Sequence, residues 1–212
     1  MALAVYFHER FLEHDAGAWH PEAPARLIAA RGALAASDLP LVWRQPRPAT
    51  VEEIARVHTV AYIEGVERLA DRGGGAIDMD TSVSPASYEA ATLAAGAGVE
   101  AVERAQREGE RAFLLVRPPG HHALRGRGMG FCLFNNVAVA AAHARAALDI
   151  ERVFIFDWDV HHGNGTQDAF FGDPHVFYAS SHLGNHYPGT GSVYEVGQGM
   201  GAGFTMNVPL PH

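Results

Sequence analysis

Residues 152–162, RVFIFDWDVHH, join a short apolar run to two aspartates and two histidines. The run is rich in β-branched and aromatic residues and has little polar alternation, which is typical of a strand covered on both faces. The ionisable residues follow at its carboxyl end, where binding and catalytic sites form in open α/β sheets. This stretch therefore predicts a parallel sheet with a site at one edge.

Similar apolar runs alternate with helical patterns along the rest of the chain. Predicted strands cover 3–7, 112–116, 152–156, 175–179 and 204–208. Predicted helices cover 22–37, 85–109 and 135–148. Ser84 is the expected N-cap of the second helix, with Pro85 at its first position. The alternation predicts an α/β fold with a mostly parallel sheet, and we find no linker, so residues 1–212 form a single domain.

The composition narrows the class of protein. The chain has 212 residues and a formal net charge of −8, so no basic field attracts nucleic acid. All 16 positively charged residues are arginine, which excludes Schiff-base chemistry on a lysine. Cys132 is the one cysteine, which excludes an intrachain disulfide and a thiolate-rich metal site. No apolar run reaches membrane-spanning length and the N-terminal segment does not resemble a signal peptide, which predicts a cytoplasmic protein.

Asp159 and His161 are the first candidate metal ligands. Residues two apart in an extended segment point the same way, so one oxygen and one imidazole nitrogen can reach the same ion. That donor pair suits a catalytic zinc or another borderline divalent cation. A hydrogen-bonded turn is the alternative, but the flanking Asp157 and His162 favour the metal. Asp157 could instead orient a histidine or bind a second cation.

A second pair, His121 and His122, follows another predicted strand and lies before a glycine-rich stretch. Two such histidines can divide proton transfer, one accepting a proton from water and the other serving the leaving group. They could equally be metal ligands or polar loop residues. Two adjacent histidines do not by themselves distinguish between these interpretations. Phe131 and Tyr187 could form the walls of an apolar slot.

Together these segments resemble the signature motifs of the zinc-dependent histone deacetylase family, which includes bacterial histone deacetylase-like amidohydrolases and acetylpolyamine amidohydrolases. The resemblance covers essentially the whole chain and is carried by HPEAPARL (20–27), RVHTVAYI (56–63), RPPGHHA (117–123), GFCLFNNVAVAA (130–141), DWDVHHGNGT (157–166) and HYPGTG (186–191). Asn164 resembles the class II branch. The resemblance implies a three-layer α/β/α, arginase/deacetylase-like fold.

The resemblance also implies a role for each matching residue. The catalytic residues would be His121, His122, Asp157 and Asn164, with Asp157 behind His121 and Asn164 behind His122. Zinc would bind Asp159 and His161, and the substrate tunnel would be lined by Gly130, Phe131 and Tyr187. A monovalent cation, such as potassium, would bind Asp157, Asp159, His161, Ser180 and Ser181. Arg26 would lie near an internal channel at the inner end of the tunnel.

The implied reaction is zinc-assisted hydrolysis of an acetyl amide, on acetylated protein lysine or on acetylpolyamine. Association into oligomers is compatible with this function. In the family, a third zinc ligand and an oxyanion-stabilising tyrosine come from later segments, and the last two strands lie in the middle of an eight-stranded sheet. We therefore expect these 212 residues to lack C-terminal strands and to be a weak or inactive deacetylase.

Two other functions remain open at this point. The chain could be a catalytically inactive fragment that binds a metal ion or a partner. It could also be an arginase-like dinuclear manganese hydrolase, although that chemistry needs more aspartates than DWDVHHG supplies.

Overall fold

Parallel strands form two separate three-stranded sheets in the computed structural model, which describes residues 2–211. The strands of the described residues are β1 (Leu3–Tyr6), β2 (Leu41–Arg44), β3 (Gly75–Ala76), β4 (Ser82–Val83), β5 (Arg111–Leu114), β6 (Val153–Asp157), β7 (Val176–Leu183) and β8 (Thr205–Leu210). One sheet has the order β2-β1-β5 and the other the order β6-β7-β8, and both are parallel. The short strands β3 and β4 pair antiparallel. The predicted α/β class with parallel strands is confirmed.

The helices lie between the strands in the chain. They are α1 (Pro24–Ala35), α2 (Val51–Ala55), α3 (Val60–Asp71), α4 (Ser87–Glu108), α5 (Asn136–Ala147) and α6 (Asn164–Phe170). Short 3₁₀ turns cover Glu9–Leu12 and Gly199–Gly201. Among the residues that the structure describes, no helix is both long enough and apolar enough to pass through a bilayer.

The predicted cap of α4 was wrong. The helix begins at Ser87 after Ala86, which makes no side-chain capping bond. Ser84 instead accepts a hydrogen bond from the backbone N–H of Asp15, at 3.1 Å, and donates its own N–H to the Ser87 hydroxyl at 2.7 Å. The Ser84 hydroxyl is therefore used to hold the N-terminal loop, which a local sequence pattern cannot reveal.

One face of β6 is open, against expectation. Ile155 is buried, but Phe154 and Phe156 on the alternate face are 65% and 49% exposed. In the described part of the chain no strand pairs with the outer edge of β6 or of β5. The apolar pattern therefore predicted a strand covered on both faces where only one face is covered. Exposed apolar strands with free edges favour self-association.

Small side chains allow α4 and α5 to pack closely at the centre of the molecule. Ala91, Ala95 and Val99 on α4 belong to the same buried cluster as Ala138 and Ala141 on α5. This packing fixes the N-terminus of α5. That end of the helix in turn holds the loops of the candidate site.

Asn135, the N-cap of α5, links three segments around the site. Its side-chain oxygen accepts from the N–H of Ala138 at 3.1 Å, which caps the helix. Its amide nitrogen donates to the Thr166 hydroxyl on α6 at 3.1 Å. Its backbone N–H donates to Nε2 of the buried His58 at 2.9 Å, so Nε2 carries no proton and His58 Nδ1 donates to the Leu124 carbonyl.

Stability is expected to depend on the protonation of His58. Burial lowers the pKa of His58 from 6.5 to about 4. The unfolded chain therefore takes up this proton at a higher pH than the folded chain does. The free energy of unfolding should be fully retained above pH 6.5 and should fall as the pH is lowered towards 4, by about 1 kcal/mol per pH unit for this residue.

Urea unfolding of wild type and His58→Gln at several pH values between these limits measures this dependence. Glutamine can accept from Asn135 and donate to Leu124 but does not titrate. The variant should therefore lose stability less steeply on acidification, with the slope from other buried histidines remaining. Equal slopes in the two proteins would show that His58 is not the titrating group.

Candidate active site

A cavity of about 390 Å³ lies beyond the carboxyl ends of β5 and β6. Its lining includes eight residues predicted from the sequence, namely Arg26, His121, His122, Gly130, Phe131, Asp159, His161 and Tyr187. The predicted Asp157, Asn164, Ser180 and Ser181 lie outside the lining. A larger cavity of about 880 Å³ lies between residues 184–195 and the end of β8, and contains none of the predicted residues.

Each of the two adjacent histidines is held by a different partner. His121 Nδ1 lies 2.9 Å from Oδ2 of Asp157, at the end of β6. His122 Nδ1 lies 2.8 Å from Oδ1 of Asn164, at the start of α6. The ring centroids are 3.9 Å apart. Because both bonds use Nδ1, the Nε2 atoms of the two rings are left for chemistry in the cavity that both residues line.

The surroundings of the two rings set their protonation. Burial, followed by the neighbouring His121, lowers the pKa of His122 to about 4, so its ring is neutral near pH 7. With its Nδ1–H donated to Asn164, His122 Nε2 is a proton acceptor. Burial raises the pKa of Asp157, but the hydrogen bond and charge of His121 outweigh it and the pKa is lowered overall. Asp157 is therefore ionised and holds the Nδ1–H of His121.

Asp159 and His161 lie side by side in the cavity. The backbone N–H of His161 donates to Asp159 Oδ1 at 2.9 Å, and His161 Nδ1 lies 3.1 Å from the same oxygen. Asp157 Oδ1 in turn accepts from the N–H of Asp159 at 3.1 Å, which orders the turn. The hydrogen-bonded turn that was the alternative to a metal site is therefore present. The two donor atoms are also close enough to share one ion, and an oxygen and nitrogen donor set fits zinc. No third histidine, cysteine or carboxylate in the described residues completes a cluster with them.

Glu53, Glu103 and His143 form a different cluster whose donor atoms lie within 4.8 Å of one another. Arg47 donates to both carboxylate oxygens of Glu53, at 2.6 and 2.8 Å. Arg56 donates to His143 Nδ1 at 2.6 Å, and His143 Nε2 lies 3.1 Å from Glu103. Two guanidinium groups thus already bind Glu53 and His143, and their positive charges would oppose a cation there. The cluster is an ion-pair network rather than a metal site.

The aromatic walls of the cavity depend on an unusual backbone turn. Gly130 and Phe131 have φ values of 55° and 70°, and the Phe131 N–H donates to the Thr81 hydroxyl at 3.0 Å. The Tyr187 ring lies edge-on to His122, with centroids 5.1 Å apart. Gly130 packs directly on His122, since a Cβ there would lie 2.4 Å from His122 Cδ2.

Gly130→Ala is expected to be much more destabilising than Gly109→Ala. Both glycines have a left-handed backbone, with φ of 55° and 65°, but a Cβ at Gly109 would meet no atom within 4 Å. Gly109→Ala should therefore cost only the backbone strain, about 1 kcal/mol. Gly130→Ala should cost about 1–3 kcal/mol more, because the methyl group overlaps the His122 ring. Urea unfolding of both variants measures the difference, and equal losses would mean that His122 yields freely.

Two of the residues predicted to hold a monovalent cation, Asp157 and Ser180, are neighbours on β6 and β7. Asp157 pairs with Ser180 in the register of the two strands. Ser180 is buried, and its hydroxyl lies 2.9 Å from Nδ1 of His182. Ser181 follows it in β7, and the carbonyl of Val160 accepts from the N–H of Leu183 at 2.9 Å. The strand ends that carry these residues are therefore adjacent.

A buried ion pair beside the cavity was not predicted from the sequence. Arg117 donates to both carboxylate oxygens of Glu22, which lines the cavity, and both side chains are almost fully buried. Arg117 also donates to the carbonyls of Phe11 and His14, at 2.6 and 3.0 Å. Both charged residues belong to motifs already described, HPEAPARL and RPPGHHA. No local pattern in either motif predicts that the two residues pair with each other.

Comparison with known proteins finds similarity to histone deacetylases. The family model described as "Histone deacetylase domain" matches residues 20–212. The chain is 42% identical to "Histone deacetylase 14, chloroplastic" of Arabidopsis thaliana, over 91% of this chain and 50% of the relative. It is 40% identical to "Histone deacetylase-like amidohydrolase" of Pseudomonas aeruginosa, over 94% of this chain and 54% of the relative.

A solved structure agrees in fold. The structure titled "Crystal Structure of HDA15 HD domain" matches with a TM-score of 0.94 and 41% identity, over 98% of this chain and 61% of that chain. The chain therefore spans between 50% and 61% of the length of these three proteins.

Proposed function

Because the chain belongs to the histone deacetylase family, we propose that it carries the catalytic residues of a zinc-dependent hydrolase that removes acetyl groups from lysine side chains or polyamines. One observation supports this most. His121 and His122, each held by its own acceptor, line the same cavity as Asp159 and His161, whose donor atoms are 3.1 Å apart. Potassium at the Asp157–Ser180 strand ends and a cytoplasmic location are further parts of the proposal.

The residues divide the reaction between them. Asp159 and His161 would hold zinc, which when bound would supply a Lewis acid for the acetamide carbonyl and for water. His122, neutral and with Nε2 free, accepts the proton of the attacking water. To give a proton to the leaving amine, His121, whose Nδ1–H is held by ionised Asp157, would carry a second proton on Nε2. The proton that His122 takes from water would afterwards be released to solvent, and a proton from solvent would replace the one that His121 gives. Phe131 and Tyr187 offer apolar faces to the methylene chain of the substrate.

The 212-residue polypeptide on its own is expected to be a slow deacetylase. Its described residues offer two donors to the metal, where catalytic zinc sites use three. A preorganised donor for the oxyanion is worth about a hundredfold in rate, and the family resemblance places none within these residues. Acetate release should therefore be at least about a hundredfold slower than that of the Pseudomonas aeruginosa relative.

The test supplies both proteins with zinc and an acetyl-lysine peptide and measures released acetate. Comparable rates would contradict the expectation and show that two protein donors suffice. Zinc binding without any turnover, in this polypeptide and in the longest form of the protein that the gene encodes, would favour the inactive binding fragment.

A further inference from the structure

The loop formed by residues 184–195 carries Tyr187 and is closed by the carboxylate of Glu195. This carboxylate accepts from the backbone N–H of Gly191 at 3.0 and 3.2 Å and from that of Ser192 at 2.9 Å. Its second oxygen also accepts from Nε2 of Gln167 on α6 at 2.6 Å. The same group thus folds the loop on itself and attaches it to a helix.

Gln167 extends this attachment back to the loop by a second route. Its buried Oε1 lies 3.0 Å from His162 Nε2, so that nitrogen carries a proton and donates it. His162 Nδ1 is then an acceptor and receives the Thr190 hydroxyl at 2.7 Å. Asn207 on β8 also donates to Gln167 Oε1, at 2.7 Å. The hydrogen bonds form a closed ring. It runs from Glu195 in the loop through Gln167 and His162 to Thr190, which is in the same loop.

The ring of hydrogen bonds is directly connected to the candidate active site. Gln167 lies one turn after Asn164, which holds His122, so one helix supports both the histidine and the loop. His162 follows His161, and the Tyr187 ring is 5.9 Å from the His161 ring. The loop fits tightly, since a Cβ at Gly191 would lie 2.6 Å from Cγ of His162.

The charge of Glu195 matters to this arrangement. Burial raises the pKa of Glu195, but the bonds from Gln167 and the two backbone N–H groups outweigh it and lower the pKa overall. Among the described residues no arginine or histidine forms a salt bridge with it. A carboxylate offers acceptors to all three donors, whereas a carboxamide would turn an N–H₂ group towards one of them.

We propose that Glu195 is a positioning residue: through Gln167 and His162 it fixes residues 184–195 on α6 and so sets how closely Tyr187 approaches His122. The width of the cavity at the Tyr187 wall follows from that distance, and with it the size of acyl group that can pass this wall to reach Asp159 and His161. The second statement, that the width of the cavity sets the size of acyl group, rests on the proposed function. The first, that Glu195 fixes the loop, does not.

Hydrogen exchange followed by mass spectrometry tests the first statement in the polypeptide as it is. Glu195→Gln should increase the exchange rate of residues 184–194 by about tenfold or more without changing exchange elsewhere. The exchanged pair, Gln167→Glu with Glu195→Gln, should restore protection. Glutamine at 195 can accept from Gly191 and Ser192 and donate to the new carboxylate, which still accepts from His162 and Asn207. Glu151→Gln, at an exposed acid, is the matched control.

Unchanged exchange in Glu195→Gln would overturn the proposal. So would increased exchange across the whole chain, which would mark a general loss of structure, or an exchanged pair that fails to restore protection.

Peptide binding tests the second statement. With zinc present, the affinity of a fluorescein-labelled butyryl-lysine peptide relative to an acetyl-lysine peptide should rise at least about threefold in Glu195→Gln and return in the exchanged pair. If hydrogen exchange of the loop changes while the ratio of the two peptide affinities does not, fixing the loop does not set the width of the cavity. That result would overturn the second statement. If wild type binds neither peptide while the exchange results hold, the proposed function fails and the role of Glu195 in fixing the loop stands.

Discussion

His122→Ala is expected to slow acetate release by about 10²- to 10⁴-fold, the usual contribution of a positioned proton-transfer group, without lowering the amount of bound zinc. The physical reason is the neutral ring described above, whose Nδ1 is held by Asn164 at 2.8 Å and whose Nε2 is free. The measurement is released acetate and zinc content, in the longest form of the protein that the gene encodes.

His175→Ala is the matched control, because His175 is exposed and lies before β7, away from the cavity. It should keep the wild-type rate and zinc content. A His122→Ala protein that had lost its zinc would instead identify His122 as a ligand, one of the alternatives that the sequence left open.

The second large effect concerns the metal itself. Asp159→Ala and His161→Ala should each weaken zinc binding by at least about a hundredfold, since even substitutions behind a ligand weaken it by about 10–100-fold. Each removes one of two donor atoms that lie 3.1 Å apart. Zinc titration of the 212-residue polypeptide against a competing chelator measures the affinity.

Asp168→Ala and His175→Ala remove an exposed acid and an exposed histidine outside the cavity, and should bind zinc as wild type does. If Glu103→Ala reduced zinc binding while Asp159→Ala did not, the metal would belong to the cluster at Glu53 and the site would be misplaced.

The sequence predicted the parts of the fold that depend on local pattern. β6 and β7 were predicted because their apolar runs are uninterrupted. Asp159 and His161 do lie together, but they do so in a bend after β6 and not in the extended segment from which their shared direction was predicted. β2, with LVWR at 41–44, was missed because Pro40 before it and Pro46 and Pro48 after it are typical of a loop.

What could not be predicted depends on contacts between distant residues. Glu22 and Arg117 are 95 positions apart, and neither residue by itself indicates that the two form a buried ion pair. Gln167 and Glu195 are 28 positions apart, and neither type of residue suggests a loop attachment by itself. The exposure of Phe154 depends on which elements pack against that face of β6, and the sequence of β6 does not contain that information.

The position of the metal tests the central proposal most directly. Crystals of the 212-residue polypeptide soaked with zinc and measured at the zinc absorption edge locate the ion by anomalous scattering. We predict a peak about 2 Å from both Asp159 Oδ1 and His161 Nδ1, in the cavity shared with His121 and His122. A peak among Glu53, Glu103 and His143, or none at Asp159 and His161 at saturating zinc, would contradict the proposal.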